Sequence, residues 1–256
     1  MMGITASICP IVSKKNIACG IYDIWVASPQ AQEAKPGQFV NIKCDGFTLR
    51  RPISICEVDV ARGLLRLVFE IRGEGTQWMS GVNVGECLDI LAPLGNGFNL
   101  GNTHRRAVFV GGGIGVPPLL EAAKPFGTNA DVILGFRTVA VAILKDDFEK
   151  CGAQVTLVTQ DGSAGEKGLV TAPLISRLNA DHCNAIFACG PLPMLKAVAA
   201  EAAKRSIPCF ISMEERMACG MGACLSCACK VSMEGKELYA HVCKNGPIFD
   251  AKKIVW

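Results

Sequence analysis

An antiparallel β-barrel, then a parallel-sheet α/β domain, then a short cysteine-rich tail is the fold class that this 256-residue sequence predicts. Three observations carry it. The first hundred residues hold short β-rich segments with no convincing helical period. From about residue 105 strands alternate with helices, the rhythm of a parallel sheet with crossover connections. Near the end stands Cys219-Gly-Met-Gly-Ala-Cys224-Leu-Ser-Cys227, a C-x4-C-x2-C run followed by Cys243. The expected units are residues 1–100, 101–213 and 214–256.

In order, residues 4–12, 17–27, 39–43, 53–58, 64–71 and 87–91 are β-rich and bounded by Gly, Pro, Asn or Asp, the mark of strands joined by turns. Six such strands make a small barrel. Residues 106–110, 131–136, 154–159, 185–188 and 209–213 are the strands of the second unit, with helices over 117–123, 146–151 and 191–205. No repeat or low-complexity segment interrupts them.

Half the residues are hydrophobic and 19% are charged, which excludes a disordered chain, and the length suffices for two modest cores. The net charge of +3 is spread out and gives no reason to expect nucleic acid or an anionic membrane as partner. The first six residues lack a signal peptide's basic-then-apolar layout, and no uncharged apolar run approaches the ~20 residues of a membrane helix. A cytoplasmic protein is expected, its 14 cysteines being reduced thiols and metal ligands.

The spacing of Cys219, Cys224, Cys227 and Cys243 is the plant-type ligand pattern of a [2Fe–2S] cluster. Gly220 and Gly222 let the loop take positive φ and wrap an inorganic core, turning amides toward the sulfurs. Zinc, a disulfide pair and buried structural thiols are the competing readings. Zinc ribbons present two C-x2-C knuckles and here only Cys224/Cys227 has that spacing, while disulfides need an oxidising compartment. Cys229 is surplus to the pattern and reads as a small buried side chain.

Four further motifs bear on ligands. Arg51-Pro52-Ile53-Ser54 holds an arginine extended before a strand, where a guanidinium can grip a pyrophosphate, although a surface Arg before an edge strand looks the same. Downstream, Gly73-Glu74-Gly75-Thr76 offers amides and a hydroxyl to an anion, or is a plain turn. The segment 108–118 is a buried strand, the glycine loop Gly111-Gly112-Gly113-Ile114-Gly115, and a helix opened by proline, the layout that sets a pyrophosphate against a helix N-terminus. Cys189-Gly190-Pro191 follows another strand, at the edge where parallel sheets bind ligands. The three histidines, His104, His182 and His241, form no hydrolytic pattern, and a Rieske site would need two of them with cysteines.

The order Arg-Pro-x-Ser, Gly-x-Gly-Thr, Gly-Gly-Gly-x-Gly-x-x-Pro, Cys-Gly-Pro resembles the ferredoxin–NADP reductase superfamily over residues 1–213. That family joins an FAD-binding antiparallel barrel to a nicotinamide-binding α/β domain. With only about forty residues after that core, the tail is similar to that of the electron-transfer subunits of type B dihydroorotate dehydrogenases, whose partner is an FMN-containing catalytic subunit. The resemblance implies that Arg51 binds the FAD pyrophosphate and that Pro52, Ile53 and Ser54 line the ribityl and isoalloxazine. Gly75 and Thr76 would complete that site, with Val68, Phe69 and Glu70 touching FAD through the backbone. Gly111, Gly112, Gly113 and Gly115, with Cys189, Gly190 and Pro191, would hold NAD. Ile53 departs from the aromatic of plant-type reductases, and Trp256, lying beyond the cluster segment, is given no role against the flavin.

The expected function is electron transfer between a partner's FMN and NAD through the [2Fe–2S] cluster and FAD, coupled to oxidation of dihydroorotate to orotate, in a heterotetramer of two of each subunit. One alternative is the small subunit of an NAD(P)H-dependent ferredoxin or sulfide oxidoreductase, some of which replace one cluster cysteine by aspartate. Another is a zinc-stabilised binding protein with no redox role.

Overall fold

The computed structural model describes residues 4–256. Strands β1 (Thr5–Ala18), β2 (Ile21–Ala27), β3 (Phe39–Ile42), β4 (Arg51–Asp59), β5 (Leu64–Glu70) and β6 (Cys87–Leu94) close a barrel in the order β1-β2-β5-β4-β3-β6. Period-two alternation sends Cys9, Ile11, Ile24, Val40, Ile42, Ile55 and Leu67 into its core. The sequence suggested a break at residues 13–16, but β1 runs through them. Lys14, Lys15 and Asn16 stay paired with Ile24, Asp23 and Tyr22, and the reversal comes at Cys19-Gly20, where Gly20 takes φ +68°. Lys15 and Asn16 are exposed, while Lys14 donates to Ser80 O and Val82 O at 2.6 Å, so the polar run stays in the ladder.

A short helix, α1 (Glu74–Gly81), follows β5 where only a turn was expected. Thr76 Oγ1 accepts from the amides of Arg72 (2.9 Å) and Gly73 (3.2 Å), which fixes the entry to the helix.

The second unit is a seven-stranded sheet of order β10-β9-β8-β7-β11-β12-β15. Its parallel strands are β7 (Ala107–Gly112), β8 (Ala130–Phe136), β9 (Gln154–Thr159), β10 (Glu166–Lys167), β11 (Ala185–Cys189) and β12 (Cys209–Ser212). Helices α2 (Pro117–Ala123) and α3 (Lys145–Lys150) cover one face, and α4 (Thr171–Ala180) and α5 (Leu192–Lys204) the other. Alternation again sorts the side chains. Phe109 and Phe187 stack at 5.0 Å and Phe187 and Phe210 at 5.7 Å on the first face, while Val108, Val110 and Ile186 pack against α4 and α5 on the second.

The tail is bound into both units. A hairpin of β13 (Ala228–Met233) and β14 (Lys236–His241) leads to α6 (Val242–Asn245), and β15 (Ile248–Asp250) joins the large sheet antiparallel to β12. Cys227, Val231, Val242 and Cys243 share one apolar cluster with Phe39, Leu91 and Leu94 of the barrel.

Ion pairs set the barrel against the sheet domain. Arg66 of β5 reaches Asp23 (2.8 Å), Glu57 (2.9 Å) and, across the junction, Asp147 of α3 (2.9 Å). Lys124 bridges Glu57 (2.8 Å) and Glu121 (2.7 Å). Among the described residues no helix is long and apolar enough to cross a membrane.

Candidate cofactor-binding sites

Where barrel, sheet domain and tail meet there is an open cleft. Pro52, Ile53 and Ser54 of β4, Val68, Phe69 and Glu70 of β5, and Thr76 of α1 all line it. Two motifs nearly twenty residues apart thus share one wall because β4 and β5 are paired neighbours. Arg51 lies beneath: its guanidinium packs over the Phe47 ring at 5.0 Å and against Gly75, where any Cβ would collide with Arg51 Nε. Among the described residues Arg51 makes no ion pair, unlike Arg50, which is tied to Asp89 at 2.9 Å. That guanidinium, which donates to the Leu49 carbonyl and stands beside a helix N-terminus, suits the pyrophosphate of a dinucleotide.

The sequence reading missed the opposite wall. Ile114, Ser212, Met213, Glu214, Glu215 and Met217 line it, together with Phe39 and Pro247. Ile114 comes from the glycine loop and Phe39 from β3 beside Ser54, but the tail positions belong to no motif; pairing of β12 with β15, including Met213 N–H to Pro247 O at 2.9 Å, brings them there.

The glycine loop and Cys189-Gly190-Pro191 meet at the C-terminal edge of neighbouring strands, Cys189 being the register partner of Gly111. Their contact is backbone on backbone. A Cβ on Gly115 would lie 2.6 Å from Cys189 C and O and from Gly190 Cα, and one on Gly112 would meet Met194 Sδ at 2.5 Å. The glycines therefore answer a steric demand of the two loops on each other. Burial pushes the Cys189 thiol up to about 12, so it is neutral packing material.

The four cysteines of the C-x4-C-x2-C…C pattern are gathered by the loop and α6 into two pairs. Cys227 Sγ and Cys243 Sγ are 3.2 Å apart and buried, and the Cys243 amide donates to Cys227 Sγ at 3.4 Å. Cys219 Sγ accepts from the amides of Met221 (3.4 Å), Ala223 (3.3 Å) and Cys224 (3.4 Å). Gly220 at φ +73° and Gly222 at φ +85° permit this inward turn. Burial, which raises the Cys219 pKa, is outweighed by those amides, so it ends below the ordinary thiol value. Hydrogen bonds from the Ser226 hydroxyl and amide, with those to Cys219, bring Cys224 down to about 6, whereas burial sends Cys243 up to about 12. Among the described residues no three His, Cys, Asp or Glu side chains stand close enough together to hold a single metal ion. Two thiol pairs suit two irons. Cys229 is buried in the apolar cluster.

A closed antiparallel barrel, a doubly covered parallel sheet and a cysteine loop at their junction define a ferredoxin-reductase-type flavoprotein with an iron–sulfur tail. Residues 214–255 match the iron–sulfur cluster binding domain of dihydroorotate dehydrogenase B. The dihydroorotate dehydrogenase B (NAD(+)) electron transfer subunit of Geobacillus sp. (strain WCH70) is 40% identical over 254 residues, 96% of each chain. That of Fusobacterium nucleatum is 40% identical over 259 residues, 96% of this chain and 97% of its own. The solved structure of an NADH-dependent reduced ferredoxin-NADP oxidoreductase covers 100% of this chain and 92% of its own at 30% identity and TM-score 0.87. A cytochrome P450 reductase from Amycolatopsis, 20% identical with TM-score 0.68 over 79% of this chain and 66% of its own, shares the fold. The chain belongs to the family of dihydroorotate dehydrogenase B electron transfer subunits.

Proposed function

We propose that this chain is the electron-transfer subunit of an NAD-linked dihydroorotate dehydrogenase, carrying electrons between NAD and the FMN of a catalytic partner. The observation that carries the reading is the pairing of four thiols, two and two, beside the cleft of a reductase core. When bound, FAD supplies the exchange between hydride and single electrons, and the [2Fe–2S] cluster a one-electron carrier.

This chain's residues orient and insulate. Arg51 grips the FAD pyrophosphate, with Gly75 giving it room and Thr76 holding the start of α1. Pro52, Ile53, Ser54, Val68, Phe69 and Glu70 form the bed of the flavin, and Ile114 and Met217 help to keep water from it. Gly111, Gly112, Gly113 and Gly115, with Cys189, Gly190 and Pro191, hold the nicotinamide nucleotide. Cys219, Cys224, Cys227 and Cys243 are the cluster ligands. No side chain is asked to act as acid or base, because hydride transfer depends on orientation and exclusion of water. The units at work are residues 1–100 for FAD, 101–213 for NAD and 214–256 for the cluster. The assembly is a cytoplasmic heterotetramer of two such chains and two FMN-bearing catalytic subunits; the fourteen unpaired cysteines support a reducing compartment.

Anaerobic purification with whatever partner accompanies the chain tests this. A yellow-brown complex with flavin, about two irons per chain and dihydroorotate-dependent NAD reduction is expected. Colourless, iron-free protein holding zinc would sink the cluster reading, and no dye reduction with NADH would sink the flavin reading. The 30% identity to an NADH-dependent ferredoxin-NADP oxidoreductase favours a second reading, the small subunit of such an enzyme. A large flavoprotein in place of an FMN-bearing dihydroorotate dehydrogenase would establish that one.

A further inference from the structure

Strand β3 carries a polar side chain that its surroundings leave without a partner. Val40 and Ile42 point into the barrel core, so Phe39 and Asn41 face outward. Outward here is not solvent. Phe39 sits in the apolar cluster that holds Cys227 and Cys243, and Asn41 is 0% exposed. Neither Nδ2 nor Oδ1 of Asn41 has a hydrogen-bond partner. A buried amide left unpaired is destabilising, a cost that a leucine at the same place would avoid.

The position of the amide says what it serves. A Cβ on Gly220 would lie 2.7 Å from Asn41 Nδ2. Gly220 follows Cys219 directly, so the amide is pressed against the segment joining the first two cysteines. Across the ladder its register partner is Pro52, which lines the cleft. Asn41 thus stands between the flavin bed and the cysteine loop. Were it a brace for the loop backbone it would hydrogen-bond a carbonyl there, and it bonds none.

We infer that Asn41 is a positioning residue for the iron–sulfur centre, its carboxamide N–H donating to a sulfur of the cluster. This rests on the tail's holding a [2Fe–2S] cluster. An N–H to sulfur bond stabilises the more negative, reduced cluster and raises its potential. The barrel would then set the potential of a centre whose ligands all lie in the tail.

The test is an EPR-monitored redox titration of the anaerobically purified complex, wild type against Asn41→Leu, with iron and flavin content measured on each. The expected result is retained iron and flavin with a lower cluster potential in the variant. A loss of about tenfold in the reduction equilibrium corresponds to about 59 mV for one electron. An unmoved potential at full iron content overturns the assignment. Should Asn41→Leu lose its iron, wild-type protein labelled with 15N at asparagine side chains decides: hyperfine coupling of that nitrogen to the reduced cluster supports the bond, and its absence overturns it. Wild-type protein lacking a cluster signal would overturn this and the proposed function together, whereas a wild-type signal with an unmoved variant potential overturns this alone.

Discussion

The loops proposed to hold the nucleotide and the cysteine loop proposed to hold the cluster are made of opposite materials. The first site is chiefly backbone: Gly115 rests on the main chain of Cys189 and Gly190, and its one thiol is neutral and buried. The second is side chain: three amides converge on Cys219 Sγ, Cys224 is an exposed thiolate near neutral pH, and a buried amide waits beside Gly220. A site for a ligand that comes and goes is finished by packing beforehand. A site for a resident inorganic core is assembled from groups that need its charge.

The largest expected effect is that of Cys224→Ser, which separates the two directly. Serine oxygen is a harder ligand than thiolate, and three ligands within nine residues leave little chain to rearrange. Most of the iron and the transfer to the partner should be lost, while FAD content and NADH–dye reduction persist; dye reduction lost with the iron would break the separation. Gly115→Ala attacks the other region. Its Cβ would lie 2.6 Å from main-chain atoms that cannot yield cheaply, so a cost of about 1–3 kcal/mol is expected. Steady-state kinetics should show KM for NADH up by about tenfold or more, with iron content unchanged. Gly220→Ala is milder. It forces φ +73° on alanine, at about 1–2 kcal/mol, and crowds Asn41; iron content should fall partially with NADH–dye reduction intact. The smallest effect is read in iron-free protein. The Cys224 thiol, held down to about 6 chiefly by Ser226, is thiolate above that pH and protonated below it. Iodoacetamide should label Cys224 at a rate that climbs to about pH 6 and then levels, with buried Cys227 and Cys243 labelled slowly, and mass spectrometry of the peptides checks it.

What could be read from the sequence follows the same division. β-rich runs bounded by turn residues, such as β2 and β5, and motifs whose spacing is chemical, such as the four cysteines, were plain. Glycine loops were visible as loops, but the reason for Gly115, a contact with a segment more than seventy residues away, is tertiary. Helix α1 escaped because Glu74–Gly81 begins and ends beside glycines and has few apolar positions to show a period. Helix α4 is masked by Pro173, which sits in its first turn, where proline is tolerated. The β13–β14 hairpin turns on Glu234-Gly235, both at positive φ, rather than on the usual Asn-Gly. Asn41 was hidden most completely. Nothing in Phe39-Val40-Asn41-Ile42 distinguishes a solvated asparagine on a barrel wall from one sealed under a loop 180 residues later.

The path of β15 ties solubility to the redox segment. Ile248, Phe249 and Asp250 lie beyond the last cysteine, yet they cover the outer ladder of β12 opposite Ser212, Ile211 and Phe210. A chain cut by a protease within the cysteine loop, or shortened to the reductase core, would present that strand as a bare edge with an apolar face, the kind of surface on which sheets of different molecules join. The tail therefore protects the core from aggregation as well as extending it.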